Sequence, residues 1–152
     1  MGRTWVVVPM YNEGSMIGTV IEELKHSFPH IVCVDDGSSD DSAAVAQAAG
    51  ATVVVHPINL GQGASLQTGF EFALLDPKMT EVVTFDADGQ HQVADAIQMV
   101  AKLRNSDLDV VIGSRFLDNR TSMGKAKRLV LRTAAAYTRA TTGMALTDAT
   151  TD

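Results

Sequence analysis

The chain has 152 residues, 45% hydrophobic and 20% charged, with a net charge of −6. This is enough for one domain with a real core, and the ordinary composition excludes a disordered or fibrous chain. Residues 1–114 carry 5 Lys/Arg against 15 Asp/Glu, and residues 115–152 carry 7 against 3. This division argues against general nucleic-acid binding and fits metal-assisted chemistry in the body with an anionic partner near the tail.

Trp5–Val8 is a short continuous apolar run, the pattern of a strand covered on both faces. "PMYNE" follows it. The next segment predicts a helix with Met16, Ile17, Val20, Ile21 and Leu24 on one face and Asn12 as its N-cap. Ile31–Val34 reads as the second strand and ends in "DDGSSD". An Ala-rich helix from about Asp41 stops at Gly50. Val53–Val55 is the third strand, and "NLGQGAS" leads into a helix whose apolar face holds Leu66, Phe70, Ala73 and Leu74. Val82–Phe85 is the fourth strand and opens into "DADGQH". A fourth helix carries Ile97, Val100, Ala101 and Leu103. Val110–Ile112 predicts a fifth strand before "GSR", and a last helical stretch covers roughly Met123–Thr142. The β-α alternation implies one α/β domain, residues 1–152, with a mainly parallel sheet and right-handed crossovers.

No apolar run approaches the ~18 residues of a membrane span. "MGRTWVVVP" lacks the apolar core and cleavage site of a signal peptide. The single cysteine, Cys33, lies inside "IVCVDD" as a buried strand residue. Without a disulfide framework, a reducing, cytoplasmic setting is expected.

In such sheets ligands bind beyond the carboxyl ends of the strands. "PMYNE", "DDGSSD" and "DADGQH" all lie there, so one site is expected. Asp86 and Asp88, at spacing two, face one side of an extended segment. Hard cations such as Mg²⁺ take one or two carboxylates plus substrate phosphates. A turn needing only Asp and Gly89 is the plain alternative, but it requires no second carboxylate. A calcium loop is excluded, because its required Gly and Glu fall on His91 and Ile97. Asp35 and Asp36 can accept hydrogen bonds from ribose hydroxyls or a base N–H, while Asp40 and Asp41 are assigned to capping the next helix. Gly61-x-Gly63 fails both phosphate-loop patterns and reads as a tight strand-to-helix turn. His26, His30 and His56 are isolated and read as surface or packing residues. His91, three residues after Asp88, divides evenly between a ligand or metal role and a structural one. Neither zinc spacing nor a G-x-S-x-G elbow occurs. Lys125, Arg128, Arg132 and Arg139 fall near one helical face. That face is either solvated or directed at phosphates or anionic headgroups.

Together "VVVPMYNE", "VCVDDGSSDDS", "NLGQGASLQTGF", "VVTFDADGQH" and "VVIGSRF", in this order and spacing, resemble the family 2 glycosyltransferases of the GT-A fold. Among them the likeness is to the dolichyl- and polyprenyl-phosphate sugar synthases. The resemblance implies a UDP- or GDP-sugar donor and inversion at the anomeric carbon. It places Pro9, Tyr11 and Glu13 in the nucleotide pocket, with Val34, Asp35 and Asp36 beside base and ribose. Asp86 and Asp88, flanking Ala87 of the donor site, match the family's motif for Mg²⁺ or Mn²⁺ and the diphosphate. Gln90 and His91 would lie near the sugar and acceptor phosphate, and Arg115 matches an arginine that contacts the donor. A lipid-phosphate acceptor at a membrane surface is implied. Family members continue past "LTDATTD" into an acceptor half, so the chain is expected to be the N-terminal, donor-binding portion of such an enzyme. Two rival readings stand beside it. One is a non-catalytic nucleotide-sugar-binding module. The other is a haloacid-dehalogenase-like phosphatase, which "FDADG" also resembles, although that family expects Thr or Val where Gln90 stands and places its motif on the first strand.

Overall fold

The computed structural model describes residues 3–89, 91–106 and 108–113. The chain divides into two compact units, residues 1–108 and 109–152. In the first unit the elements alternate as β1 (Arg3–Met10), α1 (Ile17–Lys25), β2 (His30–Asp35), α2 (Ser42–Ala48), β3 (Thr52–Val55), α3 (Gln62–Leu74), β4 (Met79–Thr84) and α4 (Val93–Asn105). The four strands form one sheet in the order β3-β2-β1-β4, and every pairing is parallel. This bears out the expected α/β architecture.

Side chains that alternate along the central strands build two apolar layers. Val6, Val8 and Met10 of β1, with Ile31 and Cys33 of β2, pack with Ile17, Val20, Ile21 and Leu24 of α1. Val7, Val32 and Val34 face the other way, onto Leu66 and Phe70 of α3. Cys33 is fully buried, as expected, and burial pushes its thiol up to about 12.

Three expectations fail in detail. Leu74 is 65% exposed, because α3 instead lays Ser65, Gly69 and Ala73 inward, a stripe of small residues that lets the helix approach the sheet closely. In α4 the buried residues are Ala96 and Val100, while Ile97 and Ala101 are exposed; the apolar stripe is rotated by one position. Val110–Ile112 has no strand conformation. A three-residue run followed directly by Gly113 offers few ladder bonds and no side chain to extend it. The helix expected at Met123–Thr142 lies outside the described residues, with its Lys125, Arg128, Arg132 and Arg139.

Candidate functional site

The strand order creates a switch point. The chain steps outward from β1 through β2 to β3, then returns to place β4 on the other side of β1. Loops leaving β1 and β4 therefore diverge, and the crevice between them at the carboxyl ends is where such folds bind ligands.

The rim beside β1 is stitched to the loop after β2. The N–H groups of Asn12, Glu13 and Gly14 donate in succession to Ser38 Oγ (2.9 Å), Ser42 Oγ (2.8 Å) and Asp40 Oδ2 (3.0 Å). In return, Asn12 Oδ1 accepts the Ser39 N–H at 2.9 Å and faces the Ser39 hydroxyl at 3.2 Å. Asn12 sits at φ 56°, a left-handed conformation that Asn tolerates better than most residues. It does not cap α1 as expected, because its oxygen is committed to Ser39. Met16 takes the cap position without a side-chain bond, and the Glu13 carbonyl receives the N–H groups of Met16 and Ile17. At α2 the capping is shared unevenly. Asp41 occupies the cap position without a side-chain bond, while Asp40 Oδ1 accepts the Ser42 N–H at 3.0 Å and the Ser42 hydroxyl. The Ser42 hydroxyl is the main cause that holds the Asp40 carboxyl below its ordinary value, with the Gly14 and Ser42 N–H groups adding to it.

Asp35 and Asp36 are both buried at the mouth of β2, at 3% and 4% exposure. Asp35 Oδ1 accepts the Ser38 N–H at 2.8 Å. Asp36 Oδ1 lies 2.8 Å from His56 Nδ1 and accepts the Leu60 N–H at 2.9 Å, while its Oδ2 accepts the Gly61 N–H at 2.7 Å. Burial alone would raise the Asp36 carboxyl; His56 and these two amides overcome it and hold it below its usual value. His56 was expected to be an isolated residue, but it bridges Asp36 to Thr68 Oγ1, 2.9 Å from its Nε2. Its position was the overlooked signal, since it follows β3 directly as Asp36 follows β2. Gly61, at φ 91°, makes the strand-to-helix turn expected of it.

At β4 the burial alternates. Phe85 and Ala87 are buried, Asp86 is half-buried and Asp88 is exposed, so both carboxylates fall on the side opposite the core. His91 leans against this turn. Its ring meets Phe85 edge-on at 5.5 Å, its Nδ1 accepts the Asp86 N–H at 3.4 Å, and its Nε2 lies 3.4 Å from Asp86 Oδ2. The turn closes at Gly89, φ 74°, where a β-carbon would stand 2.9 Å from Met16 Cε. The turn after β4 thus comes close to the Met16 side chain at the start of α1.

Of the other expected site residues, Tyr11 is 49% exposed at the mouth of β1 and Glu13 is half-buried. Pro9 and Val34 are buried at the carboxyl ends of β1 and β2. Gln90 and Arg115 lie outside the described residues. Among the described residues no three His, Cys, Asp or Glu side chains form a metal cage. Asp86 and Asp88 still suit a hard cation that takes two carboxylates and completes its shell with phosphate and water. A groove of about 520 Å³ opens at the opposite, amino end of the strands. Its cations Arg3 and Arg104 are already paired with Asp76 and Glu81.

Comparison with known proteins accords with this arrangement. The model of the family described as glycosyl transferase family 2 matches residues 5–148. An uncharacterised protein of Methanocaldococcus jannaschii is 43% identical over 116 residues, 75% of this chain and 47% of that protein. The polyprenol monophosphomannose synthase of Mycolicibacterium smegmatis is 32% identical over 158 residues, 97% of this chain and 59% of that protein. The chain therefore spans about half the length of these relatives. The solved glucosyl-3-phosphoglycerate synthase of Mycobacterium tuberculosis, in complex with Mn²⁺, UDP-glucose and phosphoglyceric acid, superposes with a TM-score of 0.55 at 25% identity, over 67% of this chain and 39% of that one. With a parallel sheet of the GT-A type and a family match over nearly its whole length, the chain belongs to glycosyl transferase family 2.

Proposed function

We propose that this chain is the donor-binding portion of an inverting glycosyltransferase that moves a sugar from a nucleotide-diphosphate donor to a polyprenyl phosphate, with Mg²⁺ or Mn²⁺ held by Asp86 and Asp88. The observation that carries the reading is the turn at the mouth of β4. It directs both carboxylates away from the core, beside the crevice between β1 and β4. The UDP-glucose and Mn²⁺ of the M. tuberculosis structure support the donor and the metal. The name of the M. smegmatis relative supports the acceptor.

Asp86 and Asp88 would hold the cation against the donor diphosphate. When bound, the metal supplies Lewis-acid neutralisation of the charge that develops on the leaving diphosphate. His91 buttresses Asp86 and fixes its orientation. Tyr11 offers an exposed aromatic face to the nucleotide, with Glu13, Asp35, Asp36 and Ala87 completing the pocket over Pro9 and Val34. Gln90 is assigned to the sugar and acceptor phosphate, and Arg115 to the donor. A phosphate-monoester acceptor is already ionised near neutral pH. Its oxygen can attack the anomeric carbon as the bond to the diphosphate breaks, which inverts that carbon and requires no strong base. The reaction is assigned to the cytoplasmic membrane surface, with Lys125, Arg128, Arg132 and Arg139 facing anionic headgroups. Among the described residues no helix is long and apolar enough to cross a membrane.

Calorimetric titration of UDP- and GDP-sugars, with Mn²⁺ or with EDTA, tests the reading. One nucleotide class should bind with Mn²⁺ and lose affinity in EDTA, and Asp88→Asn should show the same loss. Equal affinity with and without metal would refute the metal assignment. Transfer of labelled sugar to polyprenyl phosphate, without phosphate release from an aryl phosphate, separates this reading from a phosphatase.

A further inference from the structure

Asp36 stands where a nucleotide-binding carboxylate is expected, yet its hydrogen bonds run inward. An ionised carboxylate offers about four acceptor sites. Three are occupied, by His56, the Leu60 amide and the Gly61 amide, in a group only 4% exposed. Because a carboxylate only accepts, His56 Nδ1 donates to it. In the neutral ring Nε2 is then left to accept the Thr68 hydroxyl at 2.9 Å.

We infer that Asp36, His56 and Thr68 form a positioning relay that sets residues 57–61 as a wall of the nucleotide pocket, so that His56 and Thr68 act on donor binding through Asp36, Leu60 and Gly61. The inference rests on the donor reading above and deepens it. Leu60 and Gly61 precede the first turn of α3, where no intrahelical bond takes up their amides. Asp36 takes up both, with Asn59 Oδ1 a second acceptor for Gly61 at 3.1 Å. The loop also rests directly on the turn after β2. A β-carbon on Gly37 would stand 2.8 Å from the Ile58 carbonyl carbon and 3.0 Å from the Asn59 nitrogen. The relay closes on itself, since Thr68 lies on the helix whose start Asp36 fixes. Held in this way, the loop displays Ile58 and Leu60 at 63% and 53% exposure near the carboxyl end of the sheet. Ligand pockets are walled chiefly by apolar side chains, and this loop supplies two.

The test measures Mn²⁺-dependent binding of UDP and GDP to the chain and to Thr68→Val, Thr68→Ser, His56→Ala, Asp36→Asn and the Asp36→Ala, His56→Ala double variant. Amide exchange at Leu60 and Gly61 is followed in parallel. Thr68→Val keeps the side-chain shape, so the fold survives while the relay loses its last hydrogen bond. Thr68→Val and His56→Ala should weaken the nucleotide that binds by about tenfold, the scale of one hydrogen bond to a charged group. Exchange at Gly61 should rise in step, and Thr68→Ser should restore both. The double variant should bind more weakly than His56→Ala, because the Leu60 and Gly61 amides then also lose the Asp36 carboxylate. Unchanged affinity in Thr68→Val, whether or not exchange rises, overturns the inference. So does an Asp36→Asn variant with the parent's affinity, since its Nδ2 cannot accept the Gly61 N–H. A parent chain that binds neither nucleotide overturns the donor reading, and the inference falls with it.

Discussion

A β-carbon on Gly69 would stand 2.2 Å from Cγ1 of Val7, so α3 approaches the central strand β1 at a distance only glycine permits. Val7 is fully buried and β-branched, and it is enclosed by Val32 and Val34. It has little freedom to move aside. Gly69→Ala gains roughly 1 kcal/mol of helix propensity but overpacks this contact at a cost of about 1–3 kcal/mol. The contact lies well below van der Waals distance, so the net change should be destabilising. Denaturant midpoints should fall with an unchanged m-value, and Val7→Ala in the same chain should recover part of the loss.

Asn12 joins the rim by two separable means, its left-handed backbone and its side-chain oxygen. Asn12→Gly keeps the backbone freedom and loses the bonds to Ser39. Asn12→Ala loses both. Stability should therefore rank Asn above Gly above Ala, with about 1 kcal/mol for the lost hydrogen bonding and about 1–2 kcal/mol more for alanine in a left-handed conformation. Thermal melts of the three proteins read the order directly, and an alanine variant as stable as the glycine one would contradict it.

Asp76 ties the start of β1 to the α3–β4 turn. It accepts the Lys78 N–H at 3.0 Å, Trp5 Nε1 at 3.1 Å and Arg3 Nη1 at 3.0 Å. The Lys78 amide, then Trp5, then Arg3 lower its carboxyl from 3.8 to about 2. A depressed folded-state value means that the stabilisation is fully present above the unfolded value and is lost as pH falls through the folded one. Parent and Asp76→Asn should thus differ in melting temperature at neutral pH, and the gap should close between about pH 4 and pH 2. A gap that stays constant over this range would remove the charge from the explanation.

Gly89 closes the turn that carries Asp86 and Asp88, and Gly89→Ala should disturb it in two ways. The residue lies at φ 74°, and the new β-carbon would stand 2.9 Å from Met16 Cε. Mn²⁺-dependent nucleotide binding should weaken by roughly tenfold, the equivalent of ~1–2 kcal/mol of backbone strain. Met16→Ala should rescue it only in part, because it relieves the contact and leaves the backbone conformation unchanged. Full rescue by Met16→Ala would show that the contact, not the backbone, sets the turn.

The central strands β1 and β2 were legible because they are buried on both faces and stand out as unbroken apolar runs between punctuating polar loops, whereas β3 and β4 are only half-buried and the similar run Val110–Ile112 forms no strand. The alternating burial of Phe85, Asp86, Ala87 and Asp88 matches the spacing of two read from the sequence, although these residues follow β4 and Asp88 lies in a turn. Helix faces were less legible. Leu74 and Ile97 fit an apolar periodicity, but α3 uses Ser65, Gly69 and Ala73 to come close to the sheet, and no pattern of large side chains announces such a stripe. The engagement of Asn12 by Ser39, of Asp36 by His56 and of His56 by Thr68 spans 27, 20 and 12 residues of chain. Such pairings depend on which strands are neighbours, and one sequence does not state this residue by residue.

The stitching of residues 12–14 to residues 38–42 means that the ordering entropy of this rim is spent during folding and not at the moment a ligand arrives. That side of the crevice behaves as a fixed socket. On the proposed donor reading, a nucleotide of the wrong outline would meet a surface already ordered, and discrimination there would operate by rejection of misfits and not by closure around the correct one.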